Sequence, residues 1–158
     1  MKTNRFPPNP SELVASLAER KFLAFTTMDA SFVVDIVSVK NVLPYQTPIP
    51  WPQLGPVFAG VIKTANSCIP TVEMRSPKAA HCLASLGVPK VIVVDIRGFS
   101  IGLAVDRVDG LMALTEEQIQ PLDEIARQIQ SPFVTEIKGR SGPLALLQIP
   151  ESLLGYVR

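Results

Sequence analysis

Proline is the residue type that most restricts what this chain can fold into. Fifteen of the 158 residues are proline, whereas an average protein has about 5%. Because proline lacks an N–H and fixes φ, it interrupts helices and the interiors of sheets. The prolines cluster at 7–10, 44–56 and 70–77, where we place connections. The chain is therefore expected to consist of short helices and short strands.

Between the prolines, the dominant pattern is one of strand-like runs joined by turn residues. The clearest hairpin is VIVVDIRGFSIGLAVDRV at 91–108, in which two β-branched runs flank Arg97-Gly98. Glycine adopts the φ > 0 that a tight turn requires, so Gly98 is predicted to be a turn residue. The other predicted strands are KFLAFTTM and SFVVDIVSV joined by an Asp29-Ala30 turn, residues 60–63 and 68–74, and a hairpin over 133–149 around KGRSG.

Helical signals are few and short. SELVASLAER at 11–20 predicts a helix with Ser11 as its N-cap, because serine caps helices well. LTEEQIQP predicts a capping box, in which Thr115 and Gln118 each bond the other's backbone N–H. The C-terminal residues 150–158 predict a helix that docks on a barrel, and 121–130 fit either a helix or a loop.

Many short strands with closely spaced turns are typical of barrels and sandwiches. Hydrophobic residues make up 47% of the chain, which is enough for a sizeable core in one domain or in two lobes that share a core. Each half holds about five predicted strands, the size of a small barrel. The predicted fold class is mostly β, with two small barrels and short helices.

The charge pattern argues against several kinds of partner. The net charge is +1 and no basic run occurs, so a nucleic-acid surface is not expected. Apolar runs such as VIVV at 91–94 are far shorter than the roughly 20 residues of a membrane span. The first ten residues lack the apolar segment of a signal peptide, and two cysteines do not make a disulfide framework. We therefore predict a cytoplasmic protein, whose low charged fraction of 18% favours a protein partner.

Candidates for catalysis or metal binding are few. Adjacent His81 and Cys82 cannot easily converge on one ion with Cys68, and no C-x-x-C pair occurs. A thiol nucleophile needs a base within reach, and His81 is the only histidine. We therefore predict no catalytic residues, no metal and no cofactor, and we predict that Cys68 is buried in a strand. A thiol enzyme stays as an alternative, which the alkylation rate would separate.

Four segments, in order, resemble the CheW-like domain family. Residues 91–121 resemble its second lobe, in which a hairpin is followed by V-D-x-V and L-T-x-E-Q-I-x-P. GVIKTANSCIPTVEMR, 60–75, resembles G-V-x-N-x-R-G-x-x-x-P-x-x-D-L-R. FLAFTTMDASFVVDIVSVKNVL, 22–43, resembles the first hairpin, and LALLQIPESLL, 144–154, resembles the last strand and the docking helix.

The resemblance implies two SH3-like, five-stranded β-barrels that share a hydrophobic core. Applied to this chain, it places an N-terminal extension and helix at about 1–20, the first barrel at about 21–85 with the docking helix 150–158, and the second barrel at about 88–149. It implies a non-catalytic adaptor that couples the regulatory domain of a CheA-type histidine kinase to the cytoplasmic tip of methyl-accepting receptors. The alternatives are an adaptor of a type IV pilus or surface-motility array, and a ligand-sensing domain with a small molecule between the barrels.

The family pattern, with the turn and cap signals, also implies two sets of residues. The partner-binding set is Val39, Asn41, Val42, Gly60, Ala65 and Asn66. The structural set is Asp35, Pro70, Arg75, Gly98, Asp106, Thr115 and Gln118. Ala65 stands where the family has arginine, Asn41 where glutamate is common, and Asn66 where glycine is expected. The joint loss of a cation and an anion predicts that Asn41 and Ala65 are neighbours whose neutrality alters the choice of partner.

Overall fold

The computed structural model describes residues 19–76, 87–120, 134–139 and 142–148. The strands in these ranges are β1 Arg20–Thr27, β2 Ala30–Asp35, β3 Val39–Pro44, β4 Gly60–Lys63, β5 Cys68–Glu73, β6 Lys90–Ile96, β7 Phe99–Val105, β8 Arg107–Leu114, β9 Val134–Ile137 and β10 Leu144–Leu147. The helices are the 3-10 turns Ile36–Ser38 and Pro52–Leu54 and the short α-helix α1, Glu116–Ile119.

These strands form two five-stranded sheets. The first sheet has the order β8-β1-β2-β10-β9 and the second has the order β3-β6-β7-β5-β4. The β2–β10 and β5–β7 pairs are parallel, and the other neighbours are antiparallel. The prediction of a mostly β fold with two five-stranded units is confirmed.

The membership of the sheets does not follow the predicted division of the chain into residues 21–85 and 88–149. β1 and β2 join β8, β9 and β10 in the first sheet, whereas β3, β4 and β5 join β6 and β7 in the second. Each sheet is completed by strands that are distant in sequence, so a division into two consecutive segments is wrong for the strands. The chain passes from one sheet to the other between β2 and β3, and again between β7 and β8.

The first of these passages is the 3-10 turn Ile36–Ser38. The carboxylate of Asp35 caps it by accepting the N–H of Val37 at 3.0 Å, and the Ser38 hydroxyl donates to the carbonyl of Asp35 at 2.8 Å. The predicted strand over 31–39 is therefore wrong beyond Asp35. The apolar pattern of the sequence continues past Asp35 and gives no sign that the strand ends there. The pattern continues because the turn keeps Ile36 and Val39 packed against the core.

The described residues form three hydrophobic clusters, one of which joins the two sheets. The largest contains residues of both sheets, among them Leu23, Phe25 and Val94. Each sheet also has a cluster of its own, one around Phe22 and Leu114 and the other around Ile62, Ile69 and Val93. Alternate residues of a strand point to opposite faces, so Phe22 contacts one cluster while its neighbour Leu23 contacts the shared one. Burial of each large apolar side chain stabilises the fold by about 1.5–3 kcal/mol.

Two tight turns close the hairpins that were predicted most clearly. Arg97 and Gly98 have φ of 50° and 88°, which confirms the predicted turn between β6 and β7. Between β1 and β2 the turn residues are Met28 and Asp29, with φ of 52° and 61°, one position earlier than predicted. Met28 can hold this conformation because its N–H donates to the Asp106 carboxylate at 3.0 Å.

Strand β8 was not predicted beyond its first residues. Its apolar alternation is interrupted by a bulge, since Ala24 pairs with Gly110 and Phe25 pairs with Val108, which leaves Asp109 as the extra residue. A bulge inserts one residue into the two-residue alternation of apolar and polar side chains. The strand pattern is lost at that point, so the sequence there is typical of a loop.

The capping box at α1 is confirmed: Thr115 N–H donates to Gln118 Oε1 at 2.9 Å, and Gln118 N–H donates to Thr115 Oγ1 at 3.3 Å.

Cys68 is exposed, so the prediction that it is buried is wrong. It is the first residue of β5 and pairs with Lys63 at the end of the hairpin, where the strand has not yet reached the core.

The predicted helix 11–20 lies outside the described residues except at its end, and there it is wrong because Arg20 begins β1. His81, Cys82, residues 121–130 and the C-terminal helix 150–158 also lie outside the described residues.

Candidate functional site

An open groove of about 360 Å³ lies beside β3, an edge strand of the second sheet. It is lined by Lys40, Asn41, Leu43, Thr64, Ala65, Asn66, Ser67, Ile69, Val93 and Ser100. Leu43, Ile69 and Val93 form an apolar floor that belongs to the second sheet's own cluster. Asn41 and Ala65, which are far apart in sequence and were predicted to be neighbours, both line this groove.

One wall of the groove is formed by an irregularity in β3. The register of β3 on β6 shifts between Val39 and Asn41, so Lys40 is an extra residue in the ladder. Its ammonium donates to the Ser100 hydroxyl on β7 at 3.0 Å. The side-chain oxygen of Asn41 accepts the N–H of Val42 at 2.8 Å, which covers a donor of the edge strand.

The opposite wall is the turn between β4 and β5, residues 64–67. Thr64 N–H donates to the Ser67 carbonyl at 2.8 Å, and Ser67 N–H donates to Thr64 Oγ1 at 3.1 Å. Asn66 has no positive φ, so the turn does not need the glycine that the family pattern has there. Ala65 and Asn66 are exposed on this turn and can contact a partner.

The other predicted partner-binding residues lie elsewhere. Val39 and Val42 are partly buried and pack against the shared core. Gly60 is buried, with its Cα hydrogen directed at the backbone of Ile49. The prediction that Gly60 contacts a partner is wrong, because its position is filled by the chain itself. A patch that the sequence did not reveal lies beside it, where Ile49 and Trp51 are 46% and 52% exposed.

Asp35, Arg75 and Pro70 belong to the predicted structural residues, and each has a place within the fold. Asp35, besides capping its 3-10 turn, forms an ion pair with Arg20. Arg75 donates to Glu73 at 2.9 Å and to the hydroxyl of Tyr45 at 2.8 Å, and its guanidinium lies 3.9 Å from the centre of the Tyr45 ring. Pro70 is buried in β5 just before the residues that pair with β7, so its missing N–H interrupts no bond of that ladder.

Asp106 joins the two sheets. It is 3% exposed, and its carboxylate accepts the N–H of Met28 at 3.0 Å and that of Ser76 at 3.1 Å. Its own N–H donates to the hydroxyl of Thr27 at 3.3 Å, and that hydroxyl donates to the carbonyl of Met74. The ends of β1, β5 and β7 therefore meet at this aspartate.

A crevice of about 480 Å³ separates the two sheets on another side of the protein. Its apolar wall includes Phe22, Val34 and Val94, and its polar rim includes Arg20, Asp35, Asp95 and Arg97. The sequence did not predict convergent polar groups here, since the four residues come from three separate segments, β1, β2 and the end of β6 with its turn. Arg20 and Asp35 neutralise each other.

The described residues contain no group of three or more His, Cys, Asp or Glu side chains placed to hold a metal ion. In the same part of the chain, no helix is long and apolar enough to span a membrane.

The family model of the CheW-like domain matches residues 21–155. The chain belongs to the CheW-like domain family. The prediction of a CheW-like chemotaxis adaptor is thereby confirmed at the level of the family. The match begins at the second residue of β1 and extends past β10, so it includes both sheets, the groove and all of the crevice lining except Arg20.

Three curated relatives of this chain carry the name CheW. The probable chemotaxis protein CheW of Rhizobium etli is 27% identical over 127 residues, which are 75% of this chain and 77% of the relative. The chemotaxis protein CheW of Rhizobium meliloti is 26% identical over 124 residues, covering 77% and 80% of the two chains. The chemotaxis protein CheW of Klebsiella aerogenes is 24% identical over 144 residues, covering 91% and 87%.

The crystal structure of the scaffolding protein TtCheW from Thermoanaerobacter tengcongensis superposes with a TM-score of 0.65 at 20% sequence identity. The superposition covers 84% of this chain and 90% of that one. At this identity the similarity shows the fold, and it agrees with the two-sheet arrangement.

Proposed function

We propose that this protein is a non-catalytic adaptor of a bacterial chemosensory array, which binds the regulatory domain of a CheA-type histidine kinase and the cytoplasmic tip of methyl-accepting receptors. The observation that carries the proposal is the match of residues 21–155 to the CheW-like domain. Two surfaces support the proposal and are assigned to the partners as part of it: the groove at Asn41 and Ala65, and the exposed apolar residues Ile49 and Trp51. We place the protein in the cytoplasm, where the kinase and the receptor tips lie.

The neutral pair Asn41 and Ala65 favours a specialised adaptor. Where the family has Glu and Arg, an ion pair would help to fix the shape and charge of the receptor-facing surface. This chain has an amide and a methyl group there, so its partner has to be complementary to a different surface. An adaptor of a type IV pilus or surface-motility array fits this difference. The ligand-sensing alternative depends on the crevice, where the pairing of Arg20 with Asp35 leaves less charge to recognise a small molecule.

The adaptor function is tested with the kinase regulatory domain and the receptor cytoplasmic fragment from the same organism, titrated separately by calorimetry. We expect saturable binding of both. Trp51→Ala is expected to weaken kinase binding about tenfold or more, because a half-exposed tryptophan is a typical interface anchor. Phe99→Ala, which truncates an exposed aromatic residue on β7, is the matched control and should bind as wild type does. If neither the kinase regulatory domain nor the receptor fragment binds the wild-type chain at high micromolar concentration, the chain is not this adaptor.

The pair at the groove is tested by restoring the family residues in Asn41→Glu, Ala65→Arg and the double variant. Each single change adds a charge to a surface whose native partner is complementary to the neutral pair, so each should weaken binding of the native receptor fragment. The double variant should recover part of the loss, with a coupling of about 0.2–1 kcal/mol, the usual value for an exposed ion pair. Calorimetric titration of the four proteins gives the coupling directly.

Thermal unfolding of the same four proteins should show nearly equal stability, because both sites are exposed. Ser31→Glu, an exposed change on β2 in the other sheet, is the control for a nonspecific effect of added negative charge. Equal receptor affinities of all four groove proteins would show that the groove is not the recognition surface.

A further inference from the structure

The groove has an unbalanced charge. Among its lining residues, Lys40 is formally charged and no residue is acidic. Lys40 forms no ion pair with any of the described acidic residues, and its ammonium donates to a neutral hydroxyl, Ser100 Oγ. Asp95 is opposite Ser100 in the ladder, but its carboxylate accepts the Gly98 N–H at 3.4 Å and does not line the groove.

The other polar groups of the rim suit an anion. Ser100 supplies a hydroxyl group. The hydroxyls of Thr64 and Ser67 lie 3.1 Å apart and bond each other, and hydroxyls can rotate to donate to a ligand instead. Asn41 uses its oxygen for the Val42 N–H, so its two amide N–H donors remain for a ligand. Beneath these donors the floor of Leu43, Ile69 and Val93 is apolar. An ammonium and several donors above an apolar floor match a carboxylate at the end of an aliphatic side chain.

We propose that the groove binds an acidic side chain, Asp or Glu, of the receptor tip, and that Lys40 holds its carboxylate. The inference rests on the proposed adaptor function and names the chemistry of one of its partners. Asn41 is essential to the arrangement, because a glutamate at this position would place a carboxylate of the chain itself next to Lys40. The replacement of that glutamate leaves the ammonium available to a partner.

The test is a titration of the receptor cytoplasmic fragment into wild type, Lys40→Met, Lys40→Arg and Lys63→Met. Lys40→Met should bind about 5- to 30-fold more weakly, as expected for the loss of a charge-assisted hydrogen bond, and Lys40→Arg should retain most of the affinity. Lys63→Met is the matched control, because Lys63 is exposed at the end of β4 but does not line the groove. It makes the same change in net charge and should stay within about twofold of wild type.

Two further measurements identify the partner group. The wild-type affinity should fall more steeply with added salt than that of Lys40→Met, because salt screens an ion pair. The acidic residues of the receptor tip are then changed one at a time to alanine. One of these changes should weaken receptor binding to the wild-type adaptor but leave receptor binding to Lys40→Met unaffected.

The outcomes separate the two proposals. If wild type does not bind the receptor fragment, the proposed function is wrong and this inference is wrong with it. If wild type binds and Lys40→Met binds equally well, or if no acidic receptor residue couples to Lys40, the adaptor function stands and the assignment of the groove is wrong. Thermal melts confirm that each variant is folded before its affinity is compared.

Discussion

Replacing Asp106 by alanine is expected to lower the free energy of unfolding by about 2–5 kcal/mol. The carboxylate is buried and accepts the backbone N–H groups of Met28 and Ser76. Without it, two N–H groups at the junction of the sheets lose their acceptor, and a buried unpaired donor is costly. Met28 would also lose the bond that supports its positive φ. Urea denaturation at neutral pH measures the change.

Asp109→Ala is the matched control for this prediction. Asp109 is three residues away on β8 and is exposed, although it accepts bonds from Thr26 and Arg107. Exposed polar contacts of this kind contribute about 1 kcal/mol or less. The loss of unfolding free energy in Asp106→Asn should lie between those of Asp106→Ala and Asp109→Ala. The amide keeps one accepting oxygen, but its NH2 group would face backbone N–H donors. If Asp106→Ala unfolds at the same urea concentration as Asp109→Ala, Asp106 does not join the sheets in the way described.

Gly60→Ala is expected to lower the free energy of unfolding by about 2–5 kcal/mol through strain and overpacking. A β-carbon at Gly60 would lie 2.2 Å from the carbonyl oxygen of Ile49. Ile49 cannot easily move away, because it exchanges two backbone hydrogen bonds with Val61, of 2.7 and 2.9 Å. The φ of Gly60, +154°, is also one that other residues rarely adopt.

Gly98→Ala separates the steric contact from the backbone strain. Gly98 also has a positive φ, of 88°, but a β-carbon there would meet no atom within 4 Å. Only the conformational term of about 1 kcal/mol applies to it. Thermal and urea unfolding of the two variants should therefore differ clearly. Equal unfolding midpoints would mean that the segment around Ile49 yields and that Gly60 is not needed for its close approach to β4.

Locally encoded features could be predicted from the sequence. The turn at Arg97-Gly98, the capping box of Thr115 and Gln118, and the strands around 60–63 and 68–74 depend on residues a few positions apart. Turn chemistry and side-chain period act over that distance. Where a bulge disturbs the period, as at Asp109 in β8, the same reasoning missed most of a strand of eight residues.

The candidate site was predicted in part. The resemblance to the family pointed to Asn41 and Ala65, and both line the groove. Lys40 and Ser100 were missed, although Lys40 is adjacent to Asn41 in the chain. Only the register shift in β3 brings its ammonium to β7, and a shift of one residue in a ladder has no strong signature in the sequence.

The sequence alone was sufficient for short strands, tight turns, the mostly β class and the family, because each follows from local patterns and their order along the chain. The pairing of β1 and β2 with β8 and β10, the exposure of Cys68 and the burial of Gly60 became known only from the tertiary structure. These features depend on which distant segments meet. Many pairings satisfy the same alternation of apolar residues, and only simultaneous packing of both sheets on one core selects among them.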